Sequence, residues 1–197
     1  WYVVRDDIDI FNTMGWRQIT PSFNGSIWTF ATPTPLVNGP AVNAWVSDTA
    51  PSPGTRNTLL TQPDGHLRVV VSTTDLGGGL TRYEYAVVNH DFDRQIGTFS
   101  IPTGGATLSD LYFHDIDRDA GSDWTATQDA SAITWTKPAN AEGLDWGTLY
   151  NFGFTATTPP RKGFAAMAAV APGSPSQLAA STLVPDVEGL LFRNDFE

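Results

Sequence analysis

Residues 67–89 read LRVVVSTTDLGGGLTRYEYAVVN. Two runs rich in β-branched and aromatic residues, LRVVVST (67–73) and LTRYEYAVVN (80–89), flank the glycine-rich segment DLGGG (75–79). Strong strand formers on both sides of a glycine-rich break predict a β-hairpin. In the second run Tyr83, Tyr85 and Val87 fall on one face, and Arg82, Glu84 and Ala86 on the other. That period of two is the signature of a half-buried strand, because successive side chains point to opposite faces of a sheet.

The same pattern recurs on both sides. RQIGTFSIP (94–102) sets Gly97, Phe99 and Ile101 against Ile96, Thr98 and Ser100. TLSDLYFHD (107–115) follows a Thr-Gly-Gly turn, SAITWTK (131–137) places Ile133 with Trp135, and GTLYNFGFTAT (147–157) places Tyr150 with Phe152 and Phe154. GFAAMAAVA (163–171) reads as a strand despite its alanines, since no helix cap precedes it. Near the start, ITPSF and SIWTF bracket Asn24-Gly25, a strong short hairpin signal. Asn24-Gly25-Ser26 is also a glycosylation sequon, but the turn accounts for Asn-Gly directly. VNAWVS (42–47) reads as a further strand, and the Pro, Thr, Asp and Gly of 48–65 as a long surface loop. WYVVR at the start also reads as a strand, and a chain beginning with Trp1 rather than Met leads us to expect a signal peptide or further domain upstream.

No sustained helical period and no internal repeat occur. The expectation is an all-β fold, a β-sandwich of about 10–14 short, mostly antiparallel strands with Greek-key-like connections. Residues 66–172 form its expected heart. Residues 1–65 are expected to supply N-terminal strands and a long loop packed on it, and 173–197 a tail, in what is one domain overall.

Composition narrows the function classes. Hydrophobic residues make up 41% and charged residues 16%, with seven Trp, eleven Phe and five Tyr, so the chain can build an aromatic-rich core. The net charge of −10 opposes binding to phosphate backbones, so nucleic acid is not an expected partner. No apolar run approaches the length of a membrane-spanning helix. The absence of cysteine removes disulfides and thiolate metal sites.

The densest cluster of chemistry is FHDIDRDAGSDW (113–124). Asp115, Asp117 and Asp119 alternate, as the first carboxylates of a calcium loop do, and Asp123 falls at the ninth place. Ala120 stands where such a loop has glycine, and Ala126 where it has its bidentate Glu, so this is not an EF-hand. Two readings stay open. One is a looser calcium site on the rim of the sandwich, with Asp115, Asp117, Asp119 and Asp123 as ligands. The other, preferred, is an acidic loop whose carboxylates cap turns. HDFD (90–93) echoes HDID (114–117), and both follow strands. Converging, His90, Asp91, Asp93, His114, Asp115 and Asp117 would suit a transition metal and a metal-dependent hydrolase. Nucleophile elbows, cysteine nucleophiles and phosphate-cradling loops do not occur. Trp124, Trp135 and Trp146, about eleven residues apart, suit either a sugar-stacking platform or, preferably, the core.

Taken together, LGGGLTRYEYAVVN (76–89), Asp93-Arg94, FSIP (99–102), FHDID (113–117), Asp123-Trp124 and DWGTLYNFGF (145–154) resemble an uncharacterised group of exported proteins from environmental bacteria. The resemblance spans about residues 40–160. The ending LFRNDFE resembles a short C-terminal ending of exported Gram-negative proteins, with Asp195 where that ending has Gly. The resemblance implies a secreted, β-rich protein at or beyond the cell surface, and a structural turn at Asn89, Asp93 and Arg94 with the guanidinium bridging carboxylate or carbonyl groups. It implies no activity. The resulting expectation is a non-enzymatic structural or adhesive protein of a surface, matrix or filament, calcium being its one candidate cofactor. Its expected partners are further copies of itself, another extracellular chain, or a polysaccharide. The alternatives are a carbohydrate-binding accessory module of an exported enzyme and the metal-dependent hydrolase.

Overall fold

A strand that is apolar on one face needs a second apolar surface to bury against, and two sheets here supply it to each other. The structure, a computed structural model, describes residues 9–186. The WYVVR strand and the LFRNDFE ending lie outside the described residues. The fold is all-β, about 53% strand and 4% helix.

The chain divides into two compact units, Trp1–Trp45 and Val46–Glu197. In the first, β1 (Gly15–Trp16) pairs with β4 (Val37–Asn38), and β2 (Thr20–Phe23) pairs with β3 (Trp28–Ala31). The Asn24 side chain closes the β2–β3 turn by accepting from the N–H groups of Ser26 and Ile27, both at 3.0 Å, and Gly25 takes φ +97°. The turn reading of Asn24-Gly25 is therefore the structural one.

The second unit holds ten strands: β5 (Thr55–Gln62), β6 (Gly65–Gly77), β7 (Leu80–Asn89), β8 (Ile96–Pro102), β9 (Leu108–His114), β10 (Thr125–Gln128), β11 (Ala132–Thr136), β12 (Thr148–Ala156), β13 (Pro160–Ala169) and β14 (Gln177–Pro185). They form two five-stranded antiparallel sheets, in the orders β5-β6-β7-β12-β9 and β10-β11-β8-β13-β14. Between β7 and β13 the chain changes sheet five times, which is what places β12 between β7 and β9. The β6–β7 hairpin turns tightly at Gly78 and Gly79, whose φ values of +62° and +81° only glycine adopts freely. Its register sets Val69 opposite Val87 and Val71 opposite Tyr85, so the core faces of the two strands coincide.

The core is aromatic. Phe152 on β12 meets Phe99 on β8 at 4.7 Å between ring centroids, and lies 5.4 Å from both Phe113 and Trp135 and 5.6 Å from Trp124. Tyr83 stacks on Phe154 at 5.0 Å. Tyr83 and Tyr85 are fully buried, yet each hydroxyl donates to a carbonyl, of Thr158 and Leu183 respectively. Burial pushes both phenols up, beyond any physiological ionisation.

Three local expectations change. Residues 55–62, expected within a surface loop, form β5, because Pro63-Asp64 is a two-residue turn that folds this polar segment back on β6. Residues 42–47, expected as a strand, begin within a 3-10 turn at Ala41–Ala44. Pro40 fixes the entry, and the N–H groups of Asn43 and Trp45 donate three residues back. The sheets also reach beyond 66–172, since β5 and β14 are members of them. In β14 the buried face is Leu178, Ala180, Thr182 and Val184, whose small members weaken the alternation signal. Truncating Phe152 to alanine removes the ring both sheets share. Phe152→Ala is expected to cost about 3–5 kcal/mol, measured as a loss of unfolding free energy in urea.

Candidate functional site

β7 and β9 are both antiparallel to β12, so they run parallel to each other and end on the same edge of their sheet. HDFD and HDID therefore emerge on one side. They do not converge: β12 lies between them, which separates the strands by two spacings, about 10 Å. His90 is only 4% exposed, whereas His114 is exposed beside Tyr112. Among the described residues no group of three or more His, Asp or Glu side chains is arranged to hold a metal ion.

The residues around HDFD organise a turn. Asn89 continues the buried face of Tyr83, Tyr85 and Val87 and closes that end of the core. Its amide donates to the carbonyls of Phe92 and Leu144, both at 3.0 Å, and its oxygen accepts from the Phe92 N–H at 2.7 Å. Asp91 accepts from the His66 N–H at 2.6 Å and meets the His66 ring at 2.9 Å, tying the start of β6 to the end of β7. The Asp93 N–H donates to the Asp64 carbonyl at 3.1 Å. Arg94 donates to the Asp64 carboxylate and, at 2.8 Å, to the Pro175 carbonyl, with its guanidinium 4.9 Å from the Phe92 ring. The guanidinium thus bridges a carboxylate and a carbonyl.

On the outer side of the same sheet, Arg68 is buried and donates to Asn57 at 2.7 Å and to Asp48 at 3.4 Å. Asn57 in turn donates to the Val46 carbonyl at 2.7 Å. Burial comes first, and the positive charge of Arg68 and proximity to His66 add to it, in holding the His90 imidazole down to about 3.

In the acidic loop the carboxylates turn inward on their own backbone. Asp115 accepts from the Asp117 N–H at 3.0 Å, Asp117 from the Asp119 N–H at 2.6 Å, and Asp119 from the Gly121 N–H at 2.9 Å. Ser122 then donates its hydroxyl to the Asp119 carbonyl at 2.8 Å. These are successive Asx turns, the local chemistry that alternating aspartates favour. Asp123 is exposed at the end of the loop. Beside it Trp124 is buried, stacked on Phe113 at 5.9 Å, and Trp135 is buried in the core. Trp146 alone of the three is exposed, so they do not form a platform.

The aromatic surface lies elsewhere, on the β2–β3 hairpin. Phe23 stands opposite Trp28, and Pro21 opposite Phe30, so these four share one face, while Thr20, Ser22, Thr29 and Ala31 share the other. The Phe23 and Trp28 rings are 5.1 Å apart. Phe23 is 52%, Trp28 60% and Phe30 59% exposed. The hairpin itself is legible in the sequence, but the exposure of its aromatic face is not read from Asn24-Gly25. The available signal is charge: residues 10–45 contain a single charged side chain, Arg17.

No family model, curated protein or solved structure matches the chain.

The His90 site makes a signed prediction. Its folded value lies below the ordinary 6.5, so the unfolded chain takes up the proton first as the pH falls. The contribution is complete above about pH 6.5 and is lost towards pH 3, at about 1.4 kcal/mol per unit. Between pH 7 and pH 5 the unfolding free energy is expected to fall by about 2 kcal/mol more in the wild type than in His90→Gln, read from urea titrations of both proteins at both pH values.

Proposed function

We propose that this chain is a non-enzymatic, extracellular β-sandwich protein of bacterial origin with a structural or adhesive role, as part of a surface layer, matrix or filament. The observation that carries the proposal is the exposed aromatic face of the β2–β3 hairpin. Apolar surface of that kind, left open to water, marks a place of attachment. The sandwich offers less competition for that role because three of its four edge strands, β5, β9 and β14, are distorted or bonded across the sheets. At one edge, β9 carries a register shift against β12, and Asp110 within it takes φ +50°. At another, the Thr58 hydroxyl of β5 donates to the Ser181 carbonyl of β14 at 2.7 Å. Bulges and covered edges oppose strand addition. Export is supported by the sequence resemblance.

A carbohydrate-binding accessory module is the second reading, favoured by the exposure of Trp28, Phe30 and Trp45 in the first unit. Calcium belongs to the proposal as a stabiliser of the rim. Asp115, Asp117 and Asp119 each use one oxygen for the backbone, and a cation would engage the other as the loop tightens.

Immobilised full-length chain should retain either a soluble copy of itself or an insoluble neutral polysaccharide such as cellulose. Trp28→Ser with Phe30→Ser should weaken that retention at least tenfold, the loss expected of hot-spot aromatics. Retention unchanged by the double variant would remove the hairpin from the proposal, and release of soluble sugar would overturn its non-enzymatic part. For the rim, millimolar calcium added to the metal-stripped chain is expected to raise the thermal midpoint by about 5–10 °C, and Asp117→Asn with Asp119→Asn should abolish the shift. A midpoint indifferent to calcium would leave the aspartates as turn caps alone.

A further inference from the structure

We infer, independently of the adhesive reading above, that Asn24 is a site of spontaneous covalent modification. The Gly25 nitrogen displaces the Asn24 side-chain amide and ammonia is lost, while the fold holds the pair Asn38-Gly39 unreactive.

The chain contains two Asn-Gly pairs, at 24–25 and 38–39. In either pair the glycine nitrogen lies one residue from the asparagine carboxamide. No Cβ on the glycine hinders its approach or restricts the backbone rotation that brings the two groups together. What separates the pairs is whether those groups are already engaged.

At Asn24 they are placed for reaction. Asn24 and Gly25 are both exposed, and a Cβ on Gly25 would meet nothing within 4 Å, so the turn has room for a ring to close. Among the described residues the Gly25 N–H donates no hydrogen bond, and neither does the Asn24 amide nitrogen. The Asn24 side-chain oxygen accepts from the N–H groups of Ser26 and Ile27, both at 3.0 Å. Attack at Asn24 Cγ puts negative charge on this oxygen. Two backbone N–H groups already aimed at it stabilise that charge, as an oxyanion hole does.

At Asn38 the corresponding atoms are held. The Gly39 N–H donates to the Met14 carbonyl at 2.8 Å. Asn38 itself belongs to β4 and pairs with Gly15. The attacking nitrogen would have to give up a hydrogen bond along with its proton, and the pairing resists the rotation that attack requires.

The chemistry needs water alone. The Gly25 nitrogen bonds to Asn24 Cγ and passes its proton to water. The Cγ–Nδ2 bond breaks, and Nδ2, protonated from water, leaves as ammonia. The product is a cyclic imide, which a second water opens. Cleavage of the new N–Cγ bond gives aspartate at position 24. Cleavage between the nitrogen and the main-chain carbonyl carbon gives isoaspartate, with the chain running through Cγ. Either product adds negative charge to residues 10–45, whose one charged side chain is Arg17. Isoaspartate also lengthens the backbone inside the turn that sets Phe23 opposite Trp28. A longer turn works against that register.

The test is peptide mapping by mass spectrometry of the full chain aged in mildly alkaline buffer, with released ammonia assayed alongside. In the folded chain Asn24 is expected to convert at least roughly tenfold faster than Asn38, to a mixture of aspartate and isoaspartate. In guanidinium chloride, where both pairs are equally free, the two rates should converge. Asn24→Ser keeps a side-chain oxygen to cap the turn and should remove the early release of ammonia, circular dichroism establishing that the variant is folded. Conversion at Asn24 no faster than at Asn38 in the folded chain overturns the inference, as does early ammonia that persists in Asn24→Ser. The same preference surviving in denaturant overturns it too, because its origin would then be the local sequence and not the fold.

Discussion

The contact between Phe152 and Phe99 is the constraint on which the rest of the sandwich depends. It is a contact between sheets, 4.7 Å between centroids, and each ring extends it to further aromatics. Phe99 reaches Tyr85 and Trp135, and Phe152 reaches Phe113 and Trp124. Fully desolvated rings in such numbers bring large apolar area and specific ring geometry together. They also impose a condition on their polar members. The Tyr83 and Tyr85 hydroxyls sit in this interior only because backbone carbonyls receive them.

Where the core ends, polar side chains replace ring packing. Asn89 satisfies three backbone groups at the foot of β7, and Arg94 ties Asp64 to the segment around Pro175. These contacts hold four separated stretches of chain, around Asp64, Asn89–Arg94, Leu144 and Pro175, at one end of the sandwich. They explain why so chemically suggestive a run as NHDFDR has no open side chain to offer a substrate at Asn89 or Arg94. Suggestive chemistry is absorbed by architecture there. The unabsorbed surface is the plain one, the hairpin with its rings in water.

Much of the fold is legible in the sequence, because period-two alternation in β7, β8, β11 and β12 comes from large residues with unambiguous preferences. What escapes is physically coherent. β5 is an edge strand of mostly polar residues, and its only signal is the Pro63-Asp64-Gly65 turn that follows it. Residues 42–47 have strand composition, but the Gly39-Pro40 entry bends them into a 3-10 turn. Of the candidate sites, the turn capping by Asp115, Asp117 and Asp119 follows from residue type alone. The non-convergence of the two His-Asp segments could not, since it depends on β12 inserting between β7 and β9. The exposure of Phe23, Trp28 and Phe30 likewise depends on what is not beside them, which no local pattern records.

The strand order has a kinetic meaning. β8 pairs with β13, some seventy residues later, and β14 lies along β13 and bonds to β5 across the sheets. The sheet that holds β8, β13 and β14 therefore waits for the last fifth of the chain. Loop closure over such distances precedes the contacts that reward it, so the sandwich should form on the slower, millisecond-to-second scale of non-local β proteins. During synthesis the first 150 residues hold neither five-stranded sheet complete. The two five-stranded sheets are thus completed in succession, β12 closing the first before β13 and β14 close the second.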